Sequence, residues 1–162
     1  MRVVVLFCVF VFGLVFSGVL SAQEPSKLEP LTIVTEDTAT LLTAEIADTE
    51  ELRSRGLMFR HRMPDNQAML FDFEAPRPAS MWMKNTNMSL DMLFVRADGT
   101  IAAIAENTVP QSLDTIAVQE PVRGVIELAA GTVKRLRIRP DDLVYHRIFN
   151  TTEVEPAFGQ PQ

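Results

Sequence analysis

Seven side chains carry the chemistry open to this chain: Arg55, Arg60, Trp82, Lys84, Asn85, Asp91 and Glu127. Four of them fall in one stretch, Met81-Trp82-Met83-Lys84-Asn85-Thr86, which continues through Asn87-Met88-Ser89 into Leu90-Asp91-Met92-Leu93-Phe94-Val95. A run that was only core would hold fewer polar groups. A run that was only surface would hold fewer methionines and aromatics. Arginine forks and a lysine suit carboxylate, phosphate or sugar oxygens, and Trp82 offers a stacking face. The cluster therefore reads as a pocket for a small polar or anionic group. The same residues also fit a buried network, with Arg60 or Lys84 paired to Asp91 or Glu127, and Asn85 and Thr86 tying down a turn. Buried charges persist only when paired, so this structural reading stands beside the binding one.

Two other chemistries are open. Asp91 and Glu127 could serve as acid and base of a glycosidase-like hydrolysis, which needs two carboxyls within about 5–10 Å. No nucleophile triad stands out, because His61 and His146 are the only histidines and neither lies in a nucleophile motif. Seven of the eight methionines fall between Met58 and Met92. Met81 and Met83, flanking Trp82, suggest a Cu(I) site of soft thioethers. Core packing is the stronger reading of that pair, since methionine fills irregular cores and period-two spacing marks one strand face. Zinc is disfavoured by two distant histidines and the lack of cysteine beyond Cys8. No metal and no cofactor is expected.

The elements that must position these groups are short strands. Leu31–Thr35 and Thr40–Ala47 alternate as strands. Asp48 starts a two-turn helix as N-cap, with Glu51 completing a capping box and Gly56 closing it. Ala68–Phe73 reads as a buried strand, broken by Glu74–Pro78. Ser80–Thr86 is the next strand, with Met81, Met83 and Asn85 on one side and Trp82, Lys84 and Thr86 on the other. Leu90–Arg96 runs back against it as a hairpin. Ala97-Asp98-Gly99 then turns into Thr100–Ala105. Glu106–Val118 is a long irregular loop, Val122–Leu128 a strand, and Ala129-Ala130-Gly131 opens a short helix to about Leu136. Leu143–Ile148 is the last strand. About eight short strands predict a mainly β domain, a sandwich or barrel-like, jelly-roll-like fold with one or two short helices.

The ends of the chain bear on its compartment. Met1-Arg2, an uncharged apolar run from Val3 to Phe16 and a small-residue exit through Ala22 make the layout of a secretory signal peptide, 1–22. An uncleaved anchor is the lesser alternative, since Val3–Leu20 just reaches the ~18 residues that span a bilayer. Cleavage after Ala22 leaves 140 residues without cysteine, enough for one domain. Residues 23–30 read as a flexible linker, 31–149 as a single β-rich domain and 150–162 as a disordered tail. The 162-residue chain has a net charge of −6, which turns to −7 once Arg2 is removed. Nucleic acid is an unlikely match for that balance. The expectation is a periplasmic or secreted binding or accessory module, free of the membrane after cleavage. Its partner would be a small polar ligand or an envelope protein.

Taken in order, Arg55-Gly56-Leu57-Met58-Phe59-Arg60, Met69-Leu70-Phe71-Asp72-Phe73, Trp82-Met83-Lys84-Asn85-Thr86 with Leu90–Val95, and Val125-Ile126-Glu127-Leu128-Ala129-Ala130-Gly131 form a recognisable series. The chain resembles the domain of unknown function 192 family over roughly Leu31 to Ile148. That resemblance implies a small, mainly β, often exported domain, and it brings no agreed activity with it. One departure lies at Arg137-Ile138-Arg139-Pro140-Asp141-Asp142, where relatives tend to carry Gly-Ile-x-x-Gly-Asp.

Overall fold

The computed structural model describes residues 26–149 and Thr151. Seven strands form one sheet: β1 Lys27–Val34, β2 Ala39–Ala47, β3 Gln67–Met81, β4 Leu90–Val95, β5 Ile101–Ala105, β6 Ile116–Ala129 and β7 Leu143–Tyr145. Helices α1 (Glu50–Arg55) and α2 (Thr132–Leu136) and a 3₁₀ turn at Arg147–Phe149 complete the described elements. The strand order is β5-β4-β6-β3-β2-β1-β7. All neighbours are antiparallel except β2 and β3, which α1 and the following loop connect in parallel. The two outer strands almost meet. Thr100 bridges Leu143, Ile101 N donates to Asp142 O at 2.9 Å and Val144 N to Gly99 O at 2.8 Å. The result is a nearly closed barrel-like sheet, the barrel rather than the two-sheet sandwich among the expected arrangements.

Alternation along the strands divides the apolar residues into two cores. The barrel interior gathers Leu31, Ile33, Leu42, Ala44, Ile46, Leu70, Leu93, Ile101, Ile126 and Leu128, closed by Val133, Ile138 and Phe149. The outer face of β3, β6 and β4 carries Met69, Phe71, Val125, Leu90, Met92 and Phe94. Leu57, from the segment after α1, and Met83, from the loop before β4, cover that face. Strand β6 lies so close to β3 that a Cβ on Gly124 would stand 2.6 Å from the Phe71 carbonyl oxygen. Only glycine fits there.

Several elements differ from the sequence reading. Strand β1 begins at Lys27, so residues 27–30 are paired with β2 rather than forming a linker. The Glu74–Pro78 stretch does not break β3. The strand absorbs it through register shifts between Asp72 and Arg77 and between Arg77 and Ala79, with Glu74 at φ 65°. Met81 ends β3, and residues 82–86 turn instead of continuing as a strand. Asn85 takes φ 56°, the left-handed region asparagine tolerates, and Thr86 N donates to Met83 O at 3.1 Å. There is consequently no β3–β4 hairpin, since β6 runs between the two strands. Thr49, not Asp48, caps α1, its hydroxyl accepting from Leu52 N, while Asp48 pairs with Lys27. Strand β6 starts earlier than expected, at Ile116, and shortens the Glu106–Val118 loop. The last strand stops at Tyr145, and a 3₁₀ turn replaces its end. The signal-peptide region and all of the 150–162 tail but Thr151 lie outside the described residues. Thr151 itself donates toward the carbonyls of Val144 and His146.

Asp91 shows how one polar group organises the barrel end. It is fully buried on β4, and its two carboxylate oxygens accept from Asn107 N and Val133 N, each at 2.9 Å. Val133 belongs to the first turn of α2, whose N-cap is Gly131 and offers no side-chain acceptor. Asp91 supplies that missing cap from a distant strand. Replacing it by alanine leaves two N–H groups unsatisfied. Asp91→Ala is expected to lower stability by about 3 kcal/mol. The check is a shift of the urea unfolding midpoint without a change in slope.

Candidate functional site

Glu127 is the centre of the second face. It sits on β6, opposite Met69 of β3 and Met92 of β4. In the parallel pairing Met69 in turn faces Glu45 of β2. Glu45, Met69, Glu127 and Met92 thus form a row across the outer face, with two acids among apolar neighbours. The acids meet different fates. Arg60 reaches Glu45 with both guanidinium nitrogens, at 2.5 and 2.7 Å. That fork holds the Glu45 carboxyl below its usual range and raises Arg60. Glu127 receives no such partner. It is 4% exposed, and its Oε2 is buried without a hydrogen bond among the described residues. Burial pushes its pKa up to about 8, only partly opposed by the charge of Arg60. At neutral pH Glu127 is therefore mostly a carboxylic acid, able to donate as well as accept.

Glu127 lies in the wall of a cavity of about 90 Å³. Three short segments frame it. Helix α1 and its C-cap bring Arg53, Ser54, Arg55 and Gly56; the end of β3 brings Ser80 and Met81; the 82–86 turn brings Trp82, Lys84 and Thr86. Gly56 ends α1 at φ 47°, and a Cβ there would stand 3.0 Å from the Phe71 ring. The chain can reverse at that point only because the residue is glycine. The segment that follows is held to the turn by Phe59 N, which donates to Asn85 O at 2.8 Å. The far side of the turn is tied down too: Met83 N donates to Ser112 O at 3.1 Å and Gln111 N to Thr86 O at 3.0 Å. A second hollow of about 330 Å³ adjoins the cavity along α1 and β3, and it shares Arg53, Ser54, Phe71, Ser80 and Met81.

Of the seven candidates, four meet at the cavity: Arg55, Trp82, Lys84 and Glu127. Lys84 Nζ stands 5.1 Å from the centre of the half-exposed Trp82 ring, a cation–π pair at the mouth. Arg60 lies behind the site, engaged by Glu45. Asn85 serves the turn, its amide pointing to Met58 Sδ at 3.7 Å. Asp91 is elsewhere. It pairs with Leu128, one residue on from Glu127, so its side chain projects to the opposite face of the sheet. The expected Lys84–Asp91 and Arg60–Asp91 pairs do not form, and neither does an Asp91–Glu127 acid–base pair. Sequence reasoning missed Glu45, the acid that takes Arg60 away from Glu127. Its outward place in the strand alternation was the available signal. Ser80 and Arg53 were missed as well. Arg53 donates to the carbonyls of Asp48 and Asp72 and to Glu74, and so serves as a strut for α1. Met81 and Met83 belong to the outer-face core, and the Met83 sulfur accepts from Thr108 Oγ1 at 3.2 Å. No cluster of three or more histidine, cysteine or acidic side chains suited to a metal occurs among the described residues.

The family model for domain of unknown function 192, described as an uncharacterized ACR, matches residues 32–146. The chain belongs to this family. Two solved structures are similar to this family member. One is a Sinorhizobium meliloti protein provisionally described as a transcription regulator, 44% identical with a TM-score of 0.76, covering 78% of this chain and 99% of that one. The other is a protein of unknown function from Novosphingobium aromaticivorans, 33% identical with a TM-score of 0.71, covering 74% of this chain and 85% of that one. No curated protein matches.

The raised Glu127 pKa has a signature in stability. An acid whose pKa rises on folding binds more protons folded than unfolded. Its contribution therefore falls as pH rises from about 4.5 to about 8 and is flat above that. His146, whose pKa burial lowers from its usual 6.5, acts with the opposite sign. Comparison with a near-isosteric variant separates the two. Relative to wild type, Glu127→Gln is expected to gain stability steadily from pH 5 to 8, by on the order of a few kcal/mol in total. Equal pH slopes for the two proteins in denaturant unfolding would exclude a buried, protonated Glu127.

Proposed function

We propose that this domain is an exported binding module that takes a small polar or anionic ligand in the Trp82–Lys84–Glu127 cavity. The observation that carries the reading is that Glu127, buried and with one oxygen unpartnered among the described residues, lines a cavity that the exposed Lys84 also lines. A buried carboxyl oxygen without a partner costs free energy, and a leucine or methionine at this position would avoid that cost. Ligand recognition is a reason to keep it. Lys84 gives the mouth a positive charge for an anionic group, and Trp82 gives an apolar wall. Export rests on the apolar leader at residues 3–16 with its small-residue exit. We do not extend the regulator description of the Sinorhizobium protein to this chain, because a net charge of −6 opposes a phosphate backbone. The hydrolase alternative loses its proposed pair to the strand register. The Cu(I) alternative is weakened by the turn of Met83 into the core.

The only tryptophan lines the cavity, so its fluorescence is a direct reporter of occupancy. A library of small carboxylates, phosphates, amino compounds and sugars is expected to contain compounds that shift Trp82 emission saturably. Lys84→Ala is expected to weaken such binding at least tenfold while melting within a degree or two of wild type, since Lys84 is exposed. Hits that bind Lys84→Ala and Glu127→Gln as tightly as wild type would place the ligand elsewhere.

A further inference from the structure

The groups around the cavity are arranged by sign. Every element packed against Glu127 can be taken in turn. Its strand neighbours are Met69 on β3 and Met92 on β4, neither charged. On β2, Glu45 is committed to Arg60, and Arg60 uses both ends of its guanidinium on Glu45. The positive groups that line the cavity are Lys84 on the turn and Arg53 and Arg55 on α1; Arg53 is spent on carbonyls and Glu74, and Arg55 has a partner of its own, which leaves Lys84. The inner wall therefore offers an acid that no cation contacts directly, with one oxygen unpartnered among the described residues. The mouth offers Lys84.

Building on the binding reading above, we propose that the natural ligand is a small zwitterion, an amino acid or similar amine-plus-acid compound. Its ammonium group would sit on Glu127, and its acidic group would lie at Lys84. Simpler ligands fit one end only. A carboxylate or phosphate alone satisfies Lys84 and supplies no cationic donor to Glu127. An amine or metal cation alone satisfies Glu127 and leaves Lys84 without an anion. A hydroxyl would leave Glu127 neutral and make an ordinary hydrogen bond, weaker than a charge-assisted one in the same dry site. The cavity, at about 90 Å³, holds several waters and hence a molecule of only a few heavy atoms. That size suits a short amino acid, and the adjoining hollow along α1 could take a side chain.

The pairing has a proton balance. In the free protein Glu127 carries a proton at neutral pH. On binding an ammonium ligand, the Oε–H bond breaks, the proton passes to the buffer, and the carboxylate accepts from the ligand N–H groups. Binding should therefore release close to one proton at pH 7. Affinity should rise about tenfold per pH unit below pH 8 for a one-proton linkage.

The test is titration calorimetry of the purified protein at pH 6, 7 and 8, in buffers of low and high ionisation enthalpy. The probes are glycine and β-alanine, with acetate and propionate as acid-only and methylamine and ethylamine as amine-only controls. A zwitterion binding at least tenfold tighter than both of its one-ended controls, with near-unit proton release, is the expected result. Glu127→Gln should abolish the proton release and reduce the zwitterion to the affinity of the acid-only control. Lys84→Ala should reduce it to that of the amine-only control. Acetate or propionate binding as tightly as the zwitterions, without proton release, would overturn the zwitterion assignment and leave the anion-binding reading standing. If neither these probes nor the wider library perturb Trp82, both readings fail.

Discussion

Everything distinctive about this domain depends on the two-residue period of β6 between β3 and β4. The strand is buried on both sides along Val125–Leu128. Ile126 and Leu128 enter the barrel, and Val125 and Glu127 face outward. A second apolar layer, Leu57 and Met83 above Met69, Phe71 and Met92, then covers that outer face. A solvated outer face would make Glu127 an ordinary surface acid. Covered, it becomes a carboxyl in an apolar layer with a cavity beside it. The same period sends Asp91 to the opposite face, where it caps α2. Two acids that look equivalent in sequence thus have separate tasks, one structural and one at the cavity.

Charge allocation follows from that layering. The outer row holds two acids, Glu45 and Glu127, and one nearby arginine fork. Arg60 pairs in bidentate fashion with the partly exposed Glu45, where desolvation costs less than it would at Glu127. Glu127 is left to its protonation equilibrium. The neighbouring cations are either struts, as Arg53 is, or stand at the solvent side, as Lys84 does over Trp82. The arrangement puts a buried acid and an exposed cation at opposite ends of a small space. The loops that build it are held by backbone hydrogen bonds from residues 59, 83, 86 and 111 to one another's segments, so the chain itself fixes the walls of the cavity.

Strands with clear alternation were legible from sequence: β2, β4 and β5 lie close to their expected bounds, and the Asp98-Gly99 turn is where the dipeptide put it. Gly56 as the end of α1 was legible too, since little but glycine ends a helix that way. The long strand β3 was not. Its Pro76 and Pro78 signal a break, and only the bulged pairing with β6 shows that the strand continues past them. The supposed hairpin of Ser80–Thr86 with Leu90–Arg96 failed for a related reason. Adjacent segments in sequence commonly pair, but here β6 returns from a long way along the chain to take the place between them.

By itself the sequence determined the family, the mainly β class, and the residue types from which the site is drawn. Those follow from local patterns, namely strand alternation, turn residues and motif strings, which need no knowledge of what lies opposite. The tertiary structure alone decided which of those residues share a space. Glu127 and Lys84 line one cavity, Asp91 stands on the other face, and Arg60 belongs to Glu45. The reason is register. A sheet assigns neighbours by the pairing of distant strands, and a shift of one residue exchanges the two faces.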